Sequence, residues 1–217
     1  MENFPTGKGH VSYSEVKAWS ECSFRHKLMY VDKIETYEDN PYADFGTIIH
    51  EEIESFLNGK AIDLDKVYGL ITKKWDEKGY DSEEYIEKVT NHRSSNGWKY
   101  THENLDCWKK SANNILLDLP LFLNETYPGW EIIKAEQELY ENIENHTIKF
   151  KGFIDCVLKV PKKNNPDKFD IWIIDWKTTG PSGWYYTKKK DFLSLAQLGL
   201  YKAYWSRKFN VELKNIK

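Results

Sequence analysis

Asp155, which closes Gly152-Phe153-Ile154-Asp155, and Asp175, which opens Asp175-Trp176-Lys177, are carboxylates set in otherwise apolar stretches of the chain. Burying charge is expensive, so residues kept in such places are candidates for chemistry. The run from Phe169 to Lys177 has the residue types of a strand, and a period of two puts Ile171, Ile173, Asp175 and Lys177 on one face. The same alternation in Lys151 to Val160 groups Phe153, Asp155 and Val157, so a neighbouring strand can present Asp155 beside Asp175. Two ionised carboxylates held that close repel unless a cation sits between them. Carboxylate oxygens are hard ligands, which points to Mg²⁺ or Mn²⁺, and a lysine next to such a site suits a substrate bearing negative charge.

These residues need elements to hold them, and the sequence supplies an order of elements. Ser12 has the chemistry of a helix N-cap, with apolar spacing at Val16 and Trp19 that predicts a helix to about Glu21 and a second near Phe24 to Tyr30. Asp39-Asn40-Pro41 is a turn leading into a helix from about Phe45 to Leu57, with Ile49, Ile53, Phe56 and Leu57 as its apolar stripe and His50 at the margin. Leu64 to Lys78 and Thr101 to Tyr127 read as helices, the second broken or kinked at Pro120, with a polar loop at Asn91 to Gly97 between them. From Trp130 the period changes to two: Trp130 to Ile143 and Thr147 to Val160 form a hairpin, and a turn at Lys162 to Asp167 leads to a strand from Phe169 to Thr179. Leu193 to Phe209 is an amphipathic helix, and Val211 to Ile216 has the makings of a short final strand. Helices, then three strands, then a helix describe an α+β fold, expected as one domain over 1–217 with a helical insertion at 59–129 and the sheet in 130–217.

No apolar stretch approaches bilayer length, and Met1 to Gly9 lacks the charged-then-apolar pattern of a signal peptide, so a cytoplasmic protein without membrane contact is expected. Cys22, Cys107 and Cys156 have no paired spacing and read as reduced structural thiols. The net charge of −3 hides an uneven distribution. Residues 1–144 hold 16 Lys and Arg against 28 Asp and Glu, a balance of −12, whereas 145–217 hold 15 against 6, a balance of +9. The segment with the carboxylate pair is thus the basic one, as suits a protein that approaches phosphates with one side; a lysine-rich solvated surface would give the same count.

His50 within Gly46-Thr47-Ile48-Ile49-His50-Glu51, Glu136 on the first long strand, Gly152-Phe153-Ile154-Asp155, Asp175-Trp176-Lys177 and Gln197-Leu198-Gly199-Leu200-Tyr201 together resemble the PD-(D/E)XK nuclease superfamily. Within it the chain is most similar to the branch of the RecB-type nuclease domain, the CRISPR-associated Cas4 exonucleases and related phage exonucleases. The opening from Ser12-Tyr13-Ser14 through Cys22-Ser23-Phe24-Arg25 to Tyr30 resembles theirs as well. Each motif alone is weak, and the signal lies in five occurring in order on the expected elements.

The resemblance implies a restriction-endonuclease-like core, a central mixed sheet flanked by helices. It implies that Asp155 and Asp175 bind the metal, with the backbone carbonyl of Trp176 and the imidazole of His50 as further ligands; read alone, a histidine beside an apolar stripe is more often a hydrogen-bonded core residue. Lys177 would orient or help deprotonate the attacking water. Gln197 and Tyr201, four apart and so on one helical face, would line the DNA path. Glu136 would be an outer-sphere carboxylate or second-metal ligand, or else an exposed strand glutamate. In the loop after the third strand, Trp184, Tyr185, Lys188, Lys189 and Lys190 mix ring faces with ammonium groups, as a single-strand contact does and as a solvated loop also does. Cas4-type relatives hold an iron–sulfur cluster with one cysteine near the start and three after the Gln…Tyr helix; Cys22 fits the first, nothing follows Cys156, and no cluster is expected. The implied activity is that of a metal-dependent DNA nuclease, foremost an exonuclease, working on DNA ends or single strands with a recombination or replication protein as partner, in the host cytoplasm if viral. Two readings stand beside it: a non-cleaving DNA-end-binding recombination protein, and a structure-selective endonuclease or RNA nuclease.

Overall fold

Between Glu131 and Ile174 the chain is rich in β-branched and aromatic residues, and there it builds three successive antiparallel strands. The computed structural model describes residues 5–34, 40–92, 105–179 and 191–217. In chain order these form β1 (His10–Ser12), α1 (Tyr13–Glu21), α2 (Ser23–His26) continued by a π-turn at Lys27–Val31, α3 (Pro41–Leu57), α4 (Leu64–Lys78), α5 (Glu83–His92) and α6 (Leu105–Thr126). There follow β2 (Glu131–Asn142), β3 (Lys149–Lys162), β4 (Asn165–Ile174), α7 (Phe192–Phe209) and a 3₁₀ turn at Leu213–Asn215. Two compact units emerge: a sheet unit of Met1–Glu38, Pro128–Asp175 and Tyr185–Lys217, and a helical unit of Asp39–Tyr127 and Trp176–Trp184.

In the sheet unit β3 is the spine. It pairs antiparallel with β2 along one edge; on the other it pairs parallel with β1 over Lys149–Lys151 and antiparallel with β4 from Cys156 onward. The sheet is therefore mixed and four-stranded, as an α+β fold requires. Cys156, Val157 and Leu158 are all buried, so this part of β3 is covered on both faces. Its core joins Tyr13, Leu139, Phe150, Ile154, Val157, Ile171 and Ile173 to Tyr201, Tyr204 and Trp205 of α7 and to Ile216. Phe150 stacks on Tyr204 with ring centroids 4.4 Å apart and planes 4° from parallel, which seats α7 on the sheet. Capping fixes where the helices begin: the Ser12 side chain accepts from the Glu15 N–H, and the Asp191 carboxylate accepts from the Ser194 N–H and hydroxyl.

In the helical unit α3, α4 and α6 pack around Trp108, whose ring meets Tyr42, Phe45 and Trp75 with centroids 5.1, 4.9 and 5.1 Å away. Glu52 of α3 is 2% exposed and satisfied by the Asp63 N–H at 2.8 Å and by Lys66 Nζ at 2.9 Å. That carboxylate ties α3 to the N-terminus of α4 and, chiefly through this hydrogen bond, raises the pKa of Lys66.

Several expectations change. The strand expected over Phe169–Thr179 runs instead from Asn165 to Ile174, so Asp175 and Lys177 lie just past its end. The helix expected from Phe45 begins four residues earlier, because Asn40 caps it through its side chain and Pro41 takes the first turn, where a missing N–H costs nothing. α6 continues unbroken through Pro120. β1 and α5 were not expected from periodicity, and the final strand shrinks to one parallel bridge, Ile171 to Ile216, held by Lys217 N–H to Ile171 O at 2.7 Å and Ile173 N–H to Lys217 O at 3.1 Å.

Candidate active site

The Gly152-Phe153-Ile154-Asp155 segment lies where β3 changes neighbours. Pairing with β1 reaches Lys151 and pairing with β4 begins at Cys156, opposite Ile174. Carrying that register one step on brings Asp155 level with Asp175. On the far edge Ala135 pairs with Cys156 and Gln137 with Ile154, so Glu136 falls level with Asp155 from the other side. Glu136 adopts φ +52°, a left-handed conformation unusual for a non-glycine residue, and is exposed. Glu136, Asp155 and Asp175 thus fall level with one another, the first two on β2 and β3 and the last just past the end of β4.

α7 supplies the second wall. Gln197 Nε2 donates to Asp175 Oδ1 at 3.2 Å and to the Tyr201 hydroxyl at 3.0 Å, so one amide holds both. Tyr201 is 4% exposed. Burial raises its pKa most; the Gln197 hydrogen bond pulls the other way, the charges of Asp175 and Asp155 raise it further, and the Phe153 backbone N–H lowers it. Both carboxylates therefore raise the pKa of one phenol, which stays protonated. Gly152 makes room: a Cβ there would stand 2.7 Å from Tyr201 Cε1 and 3.1 Å from Phe150 Cε1. Beside Asp155, the Cys156 thiol is fully buried and pushed up to about 12, first by burial and then by Asp155, so it is an inert neighbour rather than a nucleophile.

Sequence reasoning assigned no role to Tyr13. Its hydroxyl donates to the Leu193 carbonyl, fastening the start of α7 to α1, and its pKa is raised by burial and then by the carboxylates of Asp191, Glu21 and Asp175. The only signal was its place in the opening motif, which carries no chemistry by itself.

His50, Trp176 and Lys177 belong to the helical unit. Gly46 of α3 lies so near Thr178 that a Cβ on it would be 2.9 Å from Thr178 Oγ1, and His50, one turn further along, shares the Gly46 face. Within that unit the imidazole-bearing face of α3 therefore abuts the segment that contains Lys177. His50 and Trp176 are half-buried and Lys177 is exposed. Trp184, Tyr185, Lys188, Lys189 and Lys190 lie outside the described residues.

Among the described residues no group of three or more His, Cys, Asp or Glu side chains is close enough to hold a metal ion. Two carboxylates level with each other on the sheet, Asp155 and Asp175, nonetheless suit Mg²⁺, which is commonly held by one or two protein carboxylates with water and substrate phosphate completing its shell. Among the same residues no helix is long and apolar enough to cross a membrane.

Over residues 10–216 the sequence matches the PD-(D/E)XK nuclease superfamily. The chain belongs to that superfamily. Its match spans both units, and the mixed sheet with flanking helices is consistent with the restriction-endonuclease-like core of such nucleases. Membership implies phosphodiester hydrolysis and nucleic acid as the substrate class. No curated protein matches the chain.

Proposed function

We propose that this member of the superfamily is a metal-dependent deoxyribonuclease of the RecB/Cas4-like branch that degrades DNA from an end. What supports the reading is the register that sets Asp155 level with Asp175, together with the hydrogen bonds of Gln197 to Asp175 and to Tyr201. Asp155 and Asp175 would hold Mg²⁺ or Mn²⁺, and motif order assigns His50 and the Trp176 carbonyl to the same ion, with Glu136 as an outer-sphere carboxylate. A divalent cation so held supplies Lewis acidity and acidifies a water at neutral pH.

The chain's own groups do the rest. Gln197 helps to fix the rotamer of Asp175 through Nε2. Tyr201, kept protonated, offers a neutral hydroxyl beside the carboxylates rather than a third negative charge that would repel phosphate. Lys177 carries a cation two residues past Asp175, suited to orienting the nucleophile and offsetting charge on the phosphate. The reaction is hydrolysis: water forms the new P–O bond as the bond to the leaving sugar oxygen breaks, and a proton passes to that oxygen.

The test is degradation of end-labelled linear DNA in Mg²⁺ or Mn²⁺, with closed circular DNA and RNA alongside. Loss of label from the linear substrate alone, abolished in Lys177→Ala, is the expected pattern. Equal degradation by both proteins would overturn the assignment of Lys177, and cutting of the circle or of RNA would replace the end-dependent reading with an endonuclease or an RNA nuclease.

A further inference from the structure

One face of the sheet carries a track that the assignments above leave unused. Along β3, Phe150, Gly152 and Ile154 are buried, the first two under Tyr204 and Tyr201 of α7, while Lys149, Lys151 and Phe153 alternate with them on the opposite face and are half-buried or exposed. Across β2 their register neighbours Asn142, Tyr140 and Glu138 are exposed too. On the other edge His10 of β1 pairs with Lys149, and its ring meets Tyr140 edge-on at 5.9 Å. Phe153 and Tyr140 leave 43% and 42% of their surface open to solvent, an unusual disposition for rings in the middle of a sheet. Each has an ammonium over it: Lys149 Nζ lies 4.7 Å from the Tyr140 centroid and Lys151 Nζ 5.3 Å from that of Phe153.

The track has a direction. The open stretch runs from His10 and Lys149 to Phe153, and beyond it Val157 is buried in the core that includes the rings of α7. Glu138 and Glu136 edge it on the β2 side, with Glu138 3.7 Å from Lys151, which leaves the β3 and β1 side as the one an anionic backbone would follow.

Open ring faces at intervals, each with a lysine at hand, fit a chain that offers flat apolar surfaces and phosphates in alternation. Unpaired nucleotides offer both; a duplex hides its base faces in the stack. We propose that this face is a single-strand track, on which unpaired bases stack against Tyr140 and Phe153 while Lys149 and Lys151 follow the phosphates, ending two residues short of Asp155 in the chain. The proposal deepens the nuclease reading and rests on it for nucleic acid as the ligand.

Binding of a fluorescein-labelled oligothymidylate, followed by anisotropy in EDTA so that no cleavage occurs, tests it. Phe153→Leu and Tyr140→Leu should each weaken binding about 10-fold, and Phe153→Tyr, which restores a ring, should stay within about 2-fold of the native protein. Lys149→Gln with Lys151→Gln should flatten the dependence on salt by about one unit of slope. Binding of a blunt duplex should not respond to either leucine variant. Unchanged affinity in Phe153→Leu and Tyr140→Leu, equal losses on the duplex, or no binding of the oligomer by the native protein would each overturn the track. Because the assay contains no metal, its outcome is separate from that of the cleavage test: a protein that binds through Phe153 yet never hydrolyses DNA keeps the track and loses the nuclease reading.

Discussion

Replacing Gly152 by alanine adds one methyl group at the point where sheet, α7 and carboxylates meet. The new Cβ would lie 2.7 Å from Tyr201 Cε1, 3.1 Å from Phe150 Cε1 and 3.3 Å from Phe150 Cζ, where ordinary contact begins at 3.4 Å. Neither ring can step aside freely. Phe150 is stacked on Tyr204, and Tyr201 is buried with its hydroxyl bonded to Gln197. Overpacking of this kind costs about 1–3 kcal/mol, and alanine recovers about 0.5–1 kcal/mol through its lower backbone entropy in a strand. A net loss of about 1–2 kcal/mol follows, which at a urea m-value of about 2 kcal/mol/M lowers the midpoint by roughly 0.5–1 M. Moving Tyr201 also moves Gln197 relative to Asp175, and a displacement near 1 Å at a reacting centre lowers rate by about 100-fold. Urea unfolding followed by tryptophan fluorescence reads the first effect, and initial rates on linear DNA read the second. In a Tyr201→Ala background the same glycine change should cost less than about 0.5 kcal/mol, because its main obstacle is gone. A Gly152→Ala protein with native midpoint and native rate would refute the claim that Tyr201 fixes the glycine.

Further outcomes follow from the same contacts. Gln197→Ala should lower the cleavage rate about 10-fold or more while leaving the urea midpoint nearly unchanged, since it removes one bond that orients the Asp175 carboxylate without opening the core; unaltered rates would deny Gln197 its positioning role. With Ellman's reagent at pH 8 the native protein should expose two fast thiols, Cys22 and Cys107, and show the third, Cys156, only in denaturant; three fast thiols would contradict the burial that pushes its pKa up to about 12. Lys66 has a raised pKa in the folded state, so the stability it lends is fully present below its unfolded value and fades as pH rises through the folded one. The gap in urea midpoint between native protein and Lys66→Met should therefore be constant through neutral pH and close in strongly alkaline solution; a gap that widened there would be inconsistent with the Glu52 bond as its source.

Much of this is legible in the sequence. Residues 64–78 have apolar spacing of helical period, and α4 spans them, capped at its start by Asp63 and at its end by Gly79. The Gln197–Tyr201 spacing puts two side chains on one helical face, and the fold brings that face to Asp175. What escaped depends on contacts between distant segments. β1 is three residues long, too short for periodicity to register, and exists because β3 offers it an edge. β4 stops at Ile174, although Asp175-Trp176-Lys177 continues the strand-like pattern, and the Asp175 side chain instead accepts from Gln197 of α7. The left-handed turn at Glu136 is likewise unreadable from a glutamate amid strand formers; pairing on either side of it imposes the conformation. The alternation along β3 is visible in the sequence, but only burial of Phe150 and Gly152 by α7 shows that Lys149, Lys151 and Phe153 are on the open side.

The central claim is that Asp155 and Asp175 grip one divalent cation for hydrolysis. Calorimetric titration of Mn²⁺ into the native protein, Asp155→Asn and Asp175→Asn, each then assayed on linear DNA, addresses it most directly. The account predicts saturable Mn²⁺ binding by the native protein, lost together with cleavage in both variants. Undiminished Mn²⁺ uptake in the two variants, or cleavage that survives in either, would contradict it.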